Sequence, residues 1–379
     1  MLADAIAELA DESKFLKQEA ETVYYRFGDG SLAVTSNYIP LIEEFQQYFP
    51  EYEILPTQDV QVHCEIRTTS HADIVYISFR RPENLDALGF GLGQLEHPLE
   101  NPFYTEMQAP VSGWRFIGHS KTGRFVLAAN NAVALIDVSS TPPHFLVDYL
   151  LSTLFSIQKE LLFLHAGSIK IGCSGVLLLG PSKRGKTTLS MALASRGHGF
   201  LGDDIAPVRA ITREILPFRK AISVRSGPRA RDVDALLEGR SFATEIRENR
   251  MRFQIHELFP QSNTSPVIAT HAFFLRGFAG KPAVEKFVPS LQNPIWKDLP
   301  LNNIVVPFWG VTTERRLMQF LVFLKLLSKL QCWLIDAGTP DETADLIESV
   351  VRTTRPQNND RAPSLLAGGA PAPQRTEDG

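Results

Sequence analysis

Along the first 140 residues, apolar and polar positions trade places in short bursts. Val23 to Phe27 and Leu32 to Thr35 flank Gly28-Asp29-Gly30, which predicts a hairpin. Leu41, Ile42, Phe45 and Phe49 recur at helical spacing, so the stretch Pro40 to Phe49 is expected to be an amphipathic helix. Val60, Val62, Cys64 and Ile66 alternate strictly, and Ile74 to Phe79 is expected beside them. Trp114 to Ile117, Phe125 to Ala128 and Val133 to Ile136 suggest a meander. Residues 1–140 therefore read as a strand-rich α+β module. No catalytic arrangement is visible there; the module recognises a partner or packs on the remainder.

The rhythm changes after residue 140. Thr141-Pro142 opens a helix running to about Glu160, with Thr as cap and Pro at the first position. Leu161 to Ile171 reads as a strand pair leading through Gly172-Cys173-Ser174-Gly175 into the apolar run Val176-Leu177-Leu178-Leu179. Thr188 to Ala194 is helical, with Leu189 and Leu193 on one face and Arg196-Gly197 as its stop. Ala272 to Leu275 and Val284 to Val288 flank Ala279-Gly280-Lys281-Pro282, a second expected hairpin. Leu317 to Ile335 reads as a buried amphipathic helix and then a strand around Trp333-Leu334-Ile335. Lys325 and Lys329 interrupt that stretch, which excludes a clean membrane span. Thr339-Pro340-Asp341-Glu342 caps a last helix to about Val351. These elements group into a 1–140 module, a 141–353 α/β domain and a 354–379 tail whose composition predicts disorder.

Composition narrows the functional classes. A formal charge of −4 and scattered cations give no general attraction for nucleic acid. Three cysteines, Cys64, Cys173 and Cys332, are odd in number and lack metal spacing, so neither a disulfide framework nor a zinc site is expected. Met1-Leu2-Ala3-Asp4 lacks the basic start of a secretion signal, and a cytoplasmic location is expected.

The candidate chemistry lies in Gly180-Pro181-Ser182-Lys183-Arg184-Gly185-Lys186-Thr187, directly after the apolar run. Strand, glycine-rich loop and helix in that order form a phosphate cradle: main-chain N–H groups turn inward and the helix adds its positive end. Lys186 is expected on the β- and γ-phosphates of ATP and Thr187 on Mg²⁺. Thr188 lies at the edge of the same site, and Lys183 and Arg184 occupy its variable positions.

His198-Gly199-Phe200-Leu201-Gly202-Asp203-Asp204 follows after one helix, one turn and one short strand. Adjacent carboxylates on an extended segment point to opposite sides, so one can hold Mg²⁺ while the other takes a proton from an attacking hydroxyl. His165 is expected at the end of a strand upstream.

His165, the loop, Arg196-Gly197-His198 and Asp203-Asp204, in this order, resemble the catalytic core of the HPr kinase/phosphorylase family of bacterial serine kinases, related to phosphoenolpyruvate carboxykinase. His165-Ala166-Gly167-Ser168 is more similar to HPr-kinase-related proteins than to the HPr enzyme itself. The resemblance covers roughly residues 161 to 208. It implies a P-loop kinase core, Asp203 as catalytic base, Asp204 as metal-associated carboxylate, and His165 and Lys186 in the catalytic set. It also admits dephosphorylation of a phosphoserine and a homo-oligomer. The family's downstream metal-associated glutamate has no counterpart, because Pro217 to Gly227 contains no acidic residue. Lys220, Arg225 and Arg229 are candidate contacts to substrate or transferred phosphate. The expected function is Mg²⁺·ATP-dependent transfer to a hydroxyl, a Ser or Thr of a peptide or protein; a small-molecule kinase and a non-catalytic ATP-binding scaffold stay open.

Overall fold

The computed structural model describes residues 19–57, 59–68, 74–80, 104–107, 115–119, 125–129, 133–139, single residues between 147 and 158, and 160–225. It further describes 243–247, 250–262, 265–290, 292–293, 295–298 and 313–354. Thr141, Pro142, Arg229 and the tail lie outside these residues. No helix among those described is long and apolar enough to cross a membrane.

The amino-terminal half supplies one sheet of eight strands. These are β1 (Glu21–Phe27), β2 (Gly30–Ser36), β3 (Val62–Thr68), β4 (Ile74–Arg80), β5 (Tyr104–Met107), β6 (Arg115–His119), β7 (Phe125–Ala129) and β8 (Val133–Asp137), in spatial order β1-β2-β3-β4-β8-β7-β6-β5. The expected hairpin β1–β2 forms with Gly28 at φ 57°, and the expected meander is β6–β7–β8. Strands β2 and β3 are parallel because helix α1 (Ile39–Tyr48) carries the chain back across the sheet. Leu41, Ile42 and Phe45 are its buried stripe.

A second, nine-stranded sheet holds β9 (Leu161–Leu164), β10 (Gly167–Ile171), β11 (Ser174–Leu179), β12 (Gly199–Gly202), β13 (Ala206–Arg209) and β14 (Glu214–Ile215). Strands β15 (Ile222–Arg225), β16 (Ala243–Arg247) and β17 (Arg250–Phe253) follow in sequence and form a separate three-stranded sheet in the order β15-β17-β16, and β18 (Val267–Phe278), β19 (Ala283–Phe287) and β20 (Gln331–Ala337) complete the nine. Helix α2 (Lys186–Ser195) leaves β11 through the phosphate loop, α3 (Ile255–Leu258) and α4 (Ile295–Asp298) are short, and α5 (Thr313–Leu327) and α6 (Pro340–Thr353) flank β20. The capping box of α6 is present as expected, with Glu342 N donating to Thr339 Oγ1 and Thr339 N donating to Glu342 Oε2.

Two expectations about pairing are corrected. Strands β9 and β10 do not pair with each other: β9 joins β13, while β10 lies between β11 and β12. Strands β18 and β19 do not form a hairpin, because β20 inserts between them, parallel to β18 and antiparallel to β19. Turn residues mark where a chain reverses, but the strand that fills an open edge can arrive from far along the sequence. The expected helix forms over 313–327 and buries Phe323, Leu326 and Leu327, but it is not buried throughout as expected: Leu317, Met318 and Leu321 are exposed.

One apolar cluster runs without interruption from the first sheet into the second. Val23, Tyr25, Phe27, Phe45 and Phe49 pack with Phe155, Phe163, Ile205 and Phe218. Phe218 stands at its centre, 1% exposed, with ring centroids 4.8 Å from Phe27, 5.1 Å from Phe155 and 5.5 Å from both Phe49 and Tyr52. Burial of this kind dominates the cohesion between the halves. Phe218→Ala is expected to cost about 3–5 kcal/mol in urea unfolding. It should shift a single transition followed by both near- and far-ultraviolet dichroism; two separated transitions would show that the cluster does not join the halves.

Candidate functional site

Directions of pairing decide what meets at the site. Strands β11 and β12 both run antiparallel to β10, and β18 and β20 run parallel to β11, so the carboxyl ends of all four emerge on one edge. That edge carries the loop after β11 and the carboxylate pair after β12. Strand β9 ends opposite the start of β13, with Leu164 beside Ala206, which brings His165 to Asp204.

The loop takes the backbone shape its sequence demands. Lys183 and Gly185 have φ of 67° and 88°, and Gly185 caps α2 in a left-handed conformation that costs glycine little. Lys183 and Arg184 are exposed, whereas Lys186 is buried. Lys186 Nζ donates to Gly180 O at 2.7 Å and to Pro181 O at 3.2 Å, so the ammonium is held against the loop's entrance. Burial lowers its pKa, opposed by the charges of Asp204 and Asp203.

Asp203 is 7% exposed, and its Oδ2 accepts from Thr187 Oγ1 at 2.8 Å. Its Oδ1 is buried and finds no hydrogen-bond partner among the described residues. Desolvation, reinforced by the neighbouring charge of Asp204, raises its pKa to about 6. Asp204 is half-exposed and sits at φ 73°, so the extended segment assumed for the pair is not present, yet the two carboxylates meet different partners, Asp203 on Thr187 and Asp204 on Lys220 and His165. A short polar residue tolerates that backbone. Asp204 Oδ2 is 3.1 Å from Lys220 Nζ and its Oδ1 is 3.4 Å from His165 Nδ1. The Lys220 ammonium holds the Asp204 carboxyl well below the usual carboxylate range. His165 has its pKa lowered by burial, with Asp204 only partly opposing, which favours the neutral imidazole.

The structure thus brings together Lys186, Thr187, Asp203, Asp204, His165 and Lys220. Thr187, expected to share a cation with Asp204, donates its hydroxyl to Asp203. Of the other basic candidates, Arg225 is the last residue of β15.

Sequence reasoning missed what holds Lys220. The segment carrying it lies beside β12, with Phe218 N donating to Leu201 O at 2.6 Å. A side chain on Gly202 would meet Ile205 O at 2.8 Å and Phe218 O at 3.0 Å, so only glycine allows this close approach. From the amino-terminal half, Tyr52 Oη accepts from Arg219 N at 2.7 Å and lies 3.3 Å from Pro217 O, while Tyr48 O accepts from Ala221 N at 3.1 Å. Glu51 pairs with Arg219, itself 5% exposed, at 3.1 Å. Both peptide N–H groups flanking Lys220 are therefore fixed by residues about 170 positions earlier. No local signal could have revealed them.

A carboxyl raised in the folded state costs stability when ionised; the cost is absent below about pH 4, grows through pH 6 and is complete above it. Asp203→Asn is accordingly expected to stabilise the nucleotide-free protein by roughly 3 kcal/mol at pH 8 and by almost nothing at pH 4, read by urea unfolding. Equal effects at both values would mean that the buried carboxylate is not strained.

No family model matches the chain. Among curated proteins, HPr kinase/phosphorylase from Chlorobium luteolum is 34% identical over 82 residues, 22% of this chain and 24% of that protein. HPr kinase/phosphorylase from Chlorobium limicola is 34% identical over 71 residues, 19% of this chain and 21% of that protein. The matches thus span about a quarter or less of the curated relatives' length. Among solved structures, the HPr(Ser) kinase/phosphatase from Coxiella burnetii is similar at 17% identity and a TM-score of 0.27, over 51% of this chain and 90% of that one. At that score the likeness carries no weight for the fold. Over the stretch they cover, the sequence matches make this chain similar to HPr kinase/phosphorylase.

Proposed function

We propose that this chain is a Mg²⁺·ATP-dependent kinase with an HPr-kinase-like P-loop core, moving the γ-phosphoryl group onto a hydroxyl of a peptide or protein. The observation that carries this reading is the contact between Thr187 and Asp203 at the foot of the phosphate loop, with Asp203 Oδ1 left unmatched beside it. No group of three or more His, Cys, Asp or Glu among the described residues could chelate a metal alone. That suits Mg²⁺, which takes one or two protein oxygens and completes its shell with phosphate oxygens and water. Thr187 and Asp203 would hold the ion, which supplies neutralising charge to the phosphates.

The remaining work falls to the chain's own groups. Loop amides and Lys186 grip the phosphate tail, so positioning and electrostatics supply most of the rate. Asp204, half-exposed between His165 and Lys220, orients the acceptor hydroxyl. As the acceptor oxygen bonds to the γ-phosphorus, the bond from phosphorus to the β-bridging oxygen breaks and ADP departs; the acceptor proton passes to Asp204 or onward to neutral His165. In a loose transition state the hydroxyl loses its proton late, so an orienting carboxylate of low basicity suffices. This exchanges the two carboxylate roles expected from the family resemblance, because the buried member of the pair is the one bonded to Thr187.

Incubation of the purified chain with γ-labelled ATP and Mg²⁺ in native lysate should label one acceptor. Lys186→Ala should abolish labelling. Asp204→Asn should lower transfer by about two to four orders of magnitude while MgATP affinity is retained, whereas Asp203→Asn should lose the magnesium dependence of nucleotide binding. Release of phosphate to water alone, with no labelled acceptor, would contradict the kinase reading.

A further inference from the structure

Phe278 ends β18 and is 66% exposed. Single exposed apolar residues are ordinary on protein surfaces. Its location is not: among the residues whose side chains are described, no other Phe, Tyr or Trp is exposed. A Cβ built on Gly185 would stand 3.5 Å from the Cε1 and Cζ atoms of Phe278, so the ring lies against the phosphate loop's second glycine. Gly185 bears no side chain to cover it. The loop's variable cation turns the same way, since a Cβ on Gly277 would lie 3.5 Å from Arg184 Nη1.

Sheet order gives this ring a direction. The carboxylate pair follows β12, which lies on one side of the loop strand β11 with β10 between them; β18 borders β11 on the other side. A nucleotide gripped by its phosphates, with its reacting end towards Asp203 and Asp204, must send its nucleoside away from them, over the end of β18. Among the residues whose side chains are described, the exposed aromatic at that end is Phe278.

We infer that Phe278 is the stacking platform for the nucleobase of the bound nucleoside triphosphate, with Arg184 beside it above Gly277. The inference rests on the proposed nucleotide-binding function and adds to it a subsite for the base. Stacking on a ring face is tolerant of base identity, so the platform contributes affinity and leaves the choice of base to other groups.

The test compares two ligands that share phosphates and differ in the nucleoside. Calorimetry of the full chain in Mg²⁺ with ATP and with inorganic tripolyphosphate would be run on the unmutated protein, Phe278→Ala and Phe278→Trp. The expected result is a roughly tenfold weaker ATP affinity for Phe278→Ala, unchanged tripolyphosphate affinity, and recovery of ATP affinity in Phe278→Trp. Retained tripolyphosphate binding also shows that the Ala variant is folded. Unchanged ATP affinity in Phe278→Ala, or equal loss for both ligands with Phe278→Trp no better, would overturn the platform alone. Failure of the unmutated protein to bind either ligand would overturn the phosphate-loop reading on which it stands.

Discussion

A carboxylate out of reach of water, with one oxygen tied to a threonine hydroxyl and the other matched by nothing the described protein provides, is costly to keep charged. A second carboxylate follows it in the chain and is kept ionised by Lys220, which makes the first more costly still. Such an arrangement sacrifices stability, which the proposed function explains as the cost of a site for a cation. Much of the local architecture maintains it: the β10–β12 pairing presents Asp203 at the strand end, Gly202 permits the close packing behind it, and α2 brings Thr187 to within 2.8 Å.

The amino-terminal half takes part in this construction. Its sheet and α1 share one apolar cluster with the second sheet, Tyr48 and Tyr52 fix the backbone on either side of Lys220, and Glu51 pairs with the Arg219 side chain. Contacts from the amino-terminal half thus hold the backbone that carries Lys220, the partner of Asp204. Arg252, bidentate to Glu44 and stacked 4.2 Å from the Tyr48 ring centroid, ties β17 to the same helix.

What was legible in the sequence was whatever a few neighbouring residues decide. The loop after an apolar strand, the helix stop at Gly197 and the α6 capping box each need partners within one or two turns, and each is found where expected. Strand partners were not legible, because β20 reaches β18 from more than 50 residues away and nothing in the local turn chemistry at 279–282 announces it. The carboxylate pair was recognised but its geometry was not: alternation assumes an extended chain, and Asp204 adopts a left-handed backbone. Lys220 was picked out for its charge, while its anchorage depends on tyrosines whose role exists only once the two halves have packed.

The proposed kinase function requires Asp203 and Thr187 to share a cation at the foot of the phosphate loop. A crystal structure of the full chain with Mg²⁺ and a non-hydrolysable ATP analogue tests this most directly. The expected density places the β- and γ-phosphates within the loop amides and the ion between Thr187 Oγ1 and Asp203. An ion held by Asp204 instead, or a nucleotide bound away from the loop, would contradict it.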